Sequence, residues 1–235
     1  MSNRVFYHGT QTAVHQTDKP YLDPRYGKGG DEGDPDKPHV FVTPNKTWAK
    51  LYALKASNMI SNGMDNGVPV AIYLGNPKGV QGGWLYQCPE DTQKPFEETI
   101  AQGRGTGMYV SYDPVQIAQA EKVPNLEHVM QQDRLQAFCL NKNMDVTAWL
   151  EASRDAASNG KQAEFLQQQI KVENLIHLNA QMGIAPHPSY AVDQTITTAQ
   201  SPQLQPALNN GINYRNDHAA RYLAGKRTGG HSQNL

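Results

Sequence analysis

Four stretches of the chain carry side chains able to bind a ligand or do chemistry. Tyr7-His8-Gly9-Thr10 ends the first apolar run with an imidazole and a glycine. Val40-Phe41-Val42-Thr43 is a later apolar run with a ring at its centre, and Ala49-x-x-Tyr52 follows it in a helical pattern. Phe96-Glu97-Glu98 offers two carboxylates, and Tyr109-x-Ser111-x-Asp113-Pro114-Val115-x-Ile117 comes last. Other chemistries are poorly served. The eight histidines are scattered, none in H-E-x-x-H spacing, and His187 and His218 fall in a polar C-terminal stretch, so no metal site is expected. Cys88 ends a strand and Cys139 lies in the apolar run Ala137-Phe138-Cys139-Leu140. Neither has a nucleophile signature, and two buried reduced thiols are expected, although one bridge between them stays open by count. The run Tyr26-Gly27-Lys28-Gly29-Gly30-Asp31 lacks the hydroxyl that a phosphate loop places after its lysine. Asp31, Glu32, Asp34 and Asp36 would repel phosphate there, so this run reads as a surface loop.

Taken in order, the four stretches resemble the ADP-ribosyltransferase superfamily, on the branch with a His-Tyr-acid triad that includes the poly(ADP-ribose) polymerases. Order and spacing are most like the small rifampin ADP-ribosyltransferase type, and the resemblance covers roughly residues 4 to 123. It implies NAD as co-substrate and no metal. His8 would bond a ribose hydroxyl, and Gly9 would offer its backbone to the nicotinamide amide, with Thr10 closing the motif. Phe41 and Tyr52 would supply the two rings of the site; Tyr52 follows Phe41 by 11 positions, the spacing expected of that family's aromatics. Glycine suits position 9 because a side chain would block close approach to the backbone. Plainer readings stand beside these: a strand-end histidine satisfied by a neighbour, and a tyrosine packed in the core. Two departures matter. Phe41 stands where the family has tyrosine, and the acid that opens the family's late strand would fall near Gly107 or Met108. In the rifampin type the acid follows a phenylalanine in an earlier connector, so the resemblance implies Glu98 or Glu97 as the catalytic carboxylate. Its work would be to hold the ribose hydroxyl and stabilise positive charge as the nicotinamide bond breaks; the plain alternative is a pair of solvated surface glutamates.

The elements that must position these residues follow from periodicity and turn signals. Arg4–His8, His39–Thr43, Pro69–Leu74, Gly83–Cys88, Met108–Tyr112 and Val115–Val123 read as strands. Thr43-Pro44 reads as a helix start, with Trp48, Leu51, Tyr52, Met59 and Ile60 on one face and Asn62-Gly63 as the stop. Gln11–Lys37 reads as polar loop, and Lys94–Gly105 as a connector. Leu126–Leu140, Asp145–Ser158 and Gln162–Gln181 read as helices. The expected fold class is therefore α+β: an ADP-ribosyltransferase-like antiparallel or mixed β core with one long helix, followed by a helical extension. The expected divisions are 1–125, an NAD-binding domain; 126–183, a helical extension; and 184–235, a polar flexible tail rich in Pro, Gln and Asn. A chain ending near Gly183 is expected to keep its fold.

Composition bounds the functions. At about 100–200 residues per domain, 235 residues make one domain with an extension or two small ones. Hydrophobic residues at 38% with 20 glycines are ordinary for a globular protein. Lys+Arg 21 against Asp+Glu 22 gives net −1, which disfavours nucleic-acid binding by charge. The N-terminus lacks a secretory apolar core, and no window approaches about 18 apolar residues. A cytoplasmic protein without a membrane partner is expected, with export by a route that needs no signal peptide left open. The function expected is an ADP-ribosyltransferase moving ADP-ribose from NAD to a target, a protein before a small molecule. Two alternatives accompany it: a catalytically silent NAD- or partner-binding module of the same fold, and an RNA 2′-phosphotransferase relative.

Overall fold

A computed structural model describes residues 4–17, 20–26, 36–55, 58–77, 82–101 and 104–190. In chain order the elements are β1 (Val5–Thr10), β2 (Tyr21–Leu22), β3 (Val40–Val42), α1 (Lys46–Leu54), β4 (Met59–Asp65), β5 (Val68–Leu74), β6 (Gly83–Pro89), β7 (Glu97–Ala101) and β8 (Arg104–Ser111). There follow β9 (Val115–Gln116), β10 (Gln119–Val123), α2 (Leu126–Gln132), β11 (Gln136–Leu140), α3 (Val146–Ser158), α4 (Gln162–Lys171), β12 (Leu175–His177) and α5 (Leu178–Gln181). The fold is mixed α+β with mostly antiparallel sheets and few helices. Among the described residues two compact units form, one from 4–55 and 82–128, the other from 58–77 and 129–190.

In the first unit β6 lies between β1 and β10, antiparallel to both, and β8 lies between β3 and β7. A two-way backbone exchange between Tyr7 and Thr43, at 2.8 and 2.9 Å, ties β1 to the end of β3. The core is Phe6, Leu22, Val40, Val42, Tyr86, Cys88, Val115 and Ile117. Strand alternation explains it: Phe6 and His8 share one face of β1, opposite Cys88 and Tyr86 of β6. Gly9 points the other way, onto α1. A Cβ there would stand 1.7 Å from the Ala49 carbonyl oxygen, and one on Gly83 would stand 2.2 Å from that of Ala53. The two glycines therefore let the helix lie directly on the β1–β6 pair. Lys46 and Lys50 of α1 also reach Glu121 of β10, at 2.6 and 3.5 Å. Burial works to raise the Glu121 pKa, but the bond from Lys46 and the two lysine charges outweigh it and hold the carboxyl below its ordinary value.

In the second unit the strand order is β12-β11-β5-β4, with β11 and β5 parallel. Its core runs from Ile60, Val70 and Ile72 through Phe138 and Leu140 to Trp149, Leu166, Leu175 and Tyr190.

Several expectations are corrected. The first helix starts at Asn45, whose side chain caps Trp48 N–H at 3.1 Å, not at Thr43-Pro44. It ends after nine residues at Leu54, with Lys55 in the left-handed region at φ 46. Met59–Asp65 is a strand rather than helix, because Asn66-Gly67, at φ 49 and 82, turns it back into β5. Gln136–Leu140 is a wholly buried strand, and Gln162–Gln181 is broken at Glu173, φ 59, into α4, β12 and α5. The stretch 126–183 is thus not a purely helical extension. Gln11–Lys37 contributes β2 and a backbone pairing of Arg25 with His39; its glycine run 27–30 and residue 31 lie outside the described residues, as do 191–235. Lys94–Gly105 forms β7 and the start of β8.

The expected tail start at 184 is also corrected. Tyr190 is fully buried, stands edge-on to Phe138 and donates from its hydroxyl to the buried Asp65 carboxylate. Gln167 donates to Ser189 O at 2.7 Å. A chain ending at Gly183 should therefore lose about 3–5 kcal/mol, the usual cost of deleting a buried aromatic. A urea melt with an unchanged midpoint would refute this.

Candidate functional site

A cavity of about 380 Å³ opens in the first unit where β1 leaves its core. His8, Gly9 and Thr10 form one wall, His39, Val40 and Phe41 a second, and Tyr21 to Asp23 with Arg25 and Tyr26 a third. The pairing register builds it. His8 faces Tyr86 across β1 and β6, and the buried Tyr86 hydroxyl donates to Thr12 O at 3.0 Å and lies 3.0 Å from His15 Nδ1. This holds the chain after Thr10 against the sheet edge.

His8 and Phe41 are brought together as the sequence suggested, through an unanticipated contact. His8 Nδ1 lies 2.7 Å from the Phe41 carbonyl oxygen. A carbonyl only accepts, so Nδ1 carries the proton and donates, and Nε2 is left with its lone pair. That nitrogen has no partner among the described residues. Desolvation lowers the His8 pKa from its ordinary 6.5; the Phe41 carbonyl opposes the shift and the Arg25 charge adds to it. His8 is therefore neutral at pH 7, a hydrogen-bond acceptor on the wall of a cavity. The half-buried Phe41 presents its ring on the face it shares with His39, 4.6 Å centroid to centroid.

Gly9 lines the cavity, but the close approach that demands glycine there is that of α1. Tyr52 lies on the outer side of α1, 39% exposed, and does not line the cavity. Neither do Glu97 and Glu98. Both open β7, and the sheet treats them differently. Glu98 is opposite Tyr109, which is opposite Val42, and Glu98 Oε1 accepts from Gly107 N–H at 2.8 Å. Glu97 is opposite Val110, which is opposite Phe41, so Glu97 and Phe41 share a face. Two strand spacings of about 4.8 Å separate them. The Glu97 carboxylate is exposed, with no hydrogen-bond partner among the described residues.

Among the wall residues that escaped the sequence reasoning are Asp23, Arg25 and His39. His39 carried a usable signal, since it stands two residues before Phe41 and a strand places such residues on one face. Asp23 and Arg25 lie in the stretch read as loop and carried none. The two cysteines are buried and unpaired. Burial pushes the Cys88 thiol up to about 12 and the Cys139 thiol further, which disfavours the thiolate of each at neutral pH. Among the described residues no three His, Cys, Asp or Glu side chains gather as metal ligands, and no helix is long and apolar enough to cross a membrane. The chain matches no protein-family model, no curated protein and no solved structure.

Proposed function

We propose that the first unit is an ADP-ribosyltransferase domain that binds NAD in the His8 cavity and passes ADP-ribose to an acceptor with release of nicotinamide. The observation that carries this is the 2.7 Å contact of His8 Nδ1 with the Phe41 carbonyl oxygen on the wall of a cavity of about 380 Å³, an arrangement that leaves Nε2 to accept. A ribose hydroxyl is the complementary donor. The antiparallel sheets β1–β6–β10 and β3–β8–β7, joined at Tyr7 and Thr43, support this reading only at the level of a mixed α+β fold with mostly antiparallel strands. Arg25 on the same wall supplies positive charge for a diphosphate. Phe41 and Thr10 complete the recognition surface, and Glu97 is the better placed of the two glutamates. The acceptor is best taken as a protein, since net charge −1 gives no electrostatic footprint for nucleic acid.

A second reading is favoured by a specific observation: neither glutamate lines the cavity. A silent NAD-binding module of the same fold would look like this.

Titration calorimetry of NAD into the parent and into His8→Ala tests binding, and nicotinamide release tests turnover. The variant should lose about tenfold or more in affinity while its thermal midpoint holds, because a half-buried strand-end side chain contributes little to the core. Affinity should also fall on acidification, with a midpoint below 6.5, because protonated Nε2 becomes a donor. Equal affinity in the two proteins removes His8 from the site.

A further inference from the structure

Thr12 and Val14, on the segment that follows β1, line the His8 cavity. Among the described residues, the backbone-to-backbone hydrogen bonds of this segment stay inside it. Val14 N–H donates to Thr12 O at 3.0 Å, Gln16 N–H to Ala13 O at 3.1 Å and Thr17 N–H to Val14 O at 3.1 Å. A single 3₁₀ turn of this kind is too short to keep its shape alone. Val14 packs on the core of the first unit, and His15 lies on Trp84 with ring centroids 4.2 Å apart. Such packing has no direction; the directed hold comes from Tyr86 of β6. Its buried ring stands opposite His8 in the strand pairing. Its hydroxyl donates to Thr12 O at 3.0 Å, because a carbonyl only accepts. That uses its single proton, so His15 Nδ1, 3.0 Å away, donates to the same oxygen in turn. Burial raises the phenol pKa above its ordinary 10, against weaker pulls from the His15 and Val14 backbone, so the donated proton stays on Tyr86 at neutral pH.

A phenylalanine at position 86 would fill the core with the same ring. The hydroxyl adds nothing to that packing; what it adds is two hydrogen bonds to one wall of the cavity. We infer that Tyr86 is a positioning residue of the His8 cavity: its hydroxyl holds Thr12 and Val14 in the shape that the ligand meets, although Tyr86 does not itself line the cavity. Its part in binding rests on the reading of the cavity as an NAD site. A wall without this tether has to be ordered by the ligand at the moment of binding, and that ordering lowers affinity.

The test uses the full chain and two variants. Tyr86→Phe keeps the ring and removes the hydroxyl. Cys88→Ala is the comparison: two residues along the same face of β6 and buried in the same core, it removes packing without touching the hydroxyl. NAD is titrated calorimetrically into each protein, and hydrogen exchange at the Val14, Gln16 and Thr17 amides is followed without ligand. Tyr86→Phe should exchange these amides about tenfold or more faster and bind NAD about tenfold more weakly. Cys88→Ala should lower the thermal midpoint and leave both readouts within about twofold of the parent, which is also what a merely structural Tyr86 would do. Parent-like exchange in Tyr86→Phe overturns the positioning role whatever the affinity, since a loss of binding would then run through His8 across the strand pair. Faster exchange with NAD affinity within about twofold of the parent overturns it as well, because the ligand would not use the held shape. A parent that binds no NAD brings down the functional reading itself, an outcome separate from failure of the tether in a parent that does bind.

Discussion

Gly9→Ala is expected to lower the thermal midpoint of the first unit by about 10 °C or more, if that unit folds at all. The added Cβ would stand 1.7 Å from the Ala49 carbonyl oxygen and 2.7 Å from the Ala53 nitrogen. Both are main-chain atoms of α1, so trimming a side chain cannot relieve the overlap. The helix must move off the β1–β6 pair, breaking the Lys46 and Lys50 contacts to Glu121 and the burial of Leu51, Ala53 and Leu54. Overpacking a well-filled core commonly costs about 1–3 kcal/mol, and a backbone overlap of this depth belongs at or above the upper end. Gly160→Ala is the control: it also strains the backbone, at φ +68, yet its Cβ would meet nothing within 4 Å, so only about 1–2 kcal/mol of left-handed strain is expected. The experiment separates two reasons for the glycine of His8-Gly9. Were it required only so that a ligand can reach the backbone, Gly9→Ala would keep its midpoint and lose NAD affinity. A loss of midpoint places the requirement in helix packing, and any effect on binding becomes secondary.

The misread elements each have an identifiable physical cause. The strands around the site were legible because each is a short apolar run closed by a turn residue: Val5–Thr10 past Gly9, Val40–Val42 before Pro44, Gly83–Pro89 at its proline. Periodicity failed where burial is complete on both faces. Gln136–Leu140 is buried at every position, and such a run looks the same as a helix interior. Met59 and Ile60 continued the apolar stripe of α1 by coincidence of spacing, and the decisive signal was the Asn66-Gly67 pair rather than Asn62-Gly63. Tyr190 was hidden among prolines and glutamines because a single buried aromatic has no period. For the site, His8 and Phe41 were legible as residue types, but their contact runs from an imidazole to a backbone carbonyl 33 residues on, which no side-chain pattern encodes. Arg25 and Asp23 reach the cavity through the pairing of Tyr21-Leu22 with Val115-Gln116 and the backbone bridge of Arg25 to His39, contacts that no local pattern encodes.

If the domain turns over NAD, Glu97→Gln should reduce nicotinamide release by about 10²–10³ while NAD affinity changes little, because a carboxylate facing an oxocarbenium-like centre acts mainly in the transition state. The two glutamates, equal by sequence, are not equal on the sheet. Glu98 spends its carboxylate on Gly107 N–H, in the row of Val42 and Tyr109 whose side chains belong to the core. Glu98→Gln removes the charge from that bond and should show first as a small loss of stability, with turnover close to the parent. Glu97 lies in the row of Val110 and Phe41; like Glu98 it is exposed, but it has no protein partner to compete for it among the described residues. Asp23 is the control that decides the remaining case, since it is the one carboxylate on the wall of the His8 cavity among the described residues. A Glu97→Gln protein that turns over NAD at the parent rate, beside an inactive but folded Asp23→Asn, moves the acid from β7 to the segment before Arg25. Parent-like rates in all three variants would mean that no carboxylate of either group faces the breaking bond. An inactive parent that still binds NAD would fit the silent module instead, because a free acid on the Phe41 face would then lie too far from the ribose to stabilise its charge.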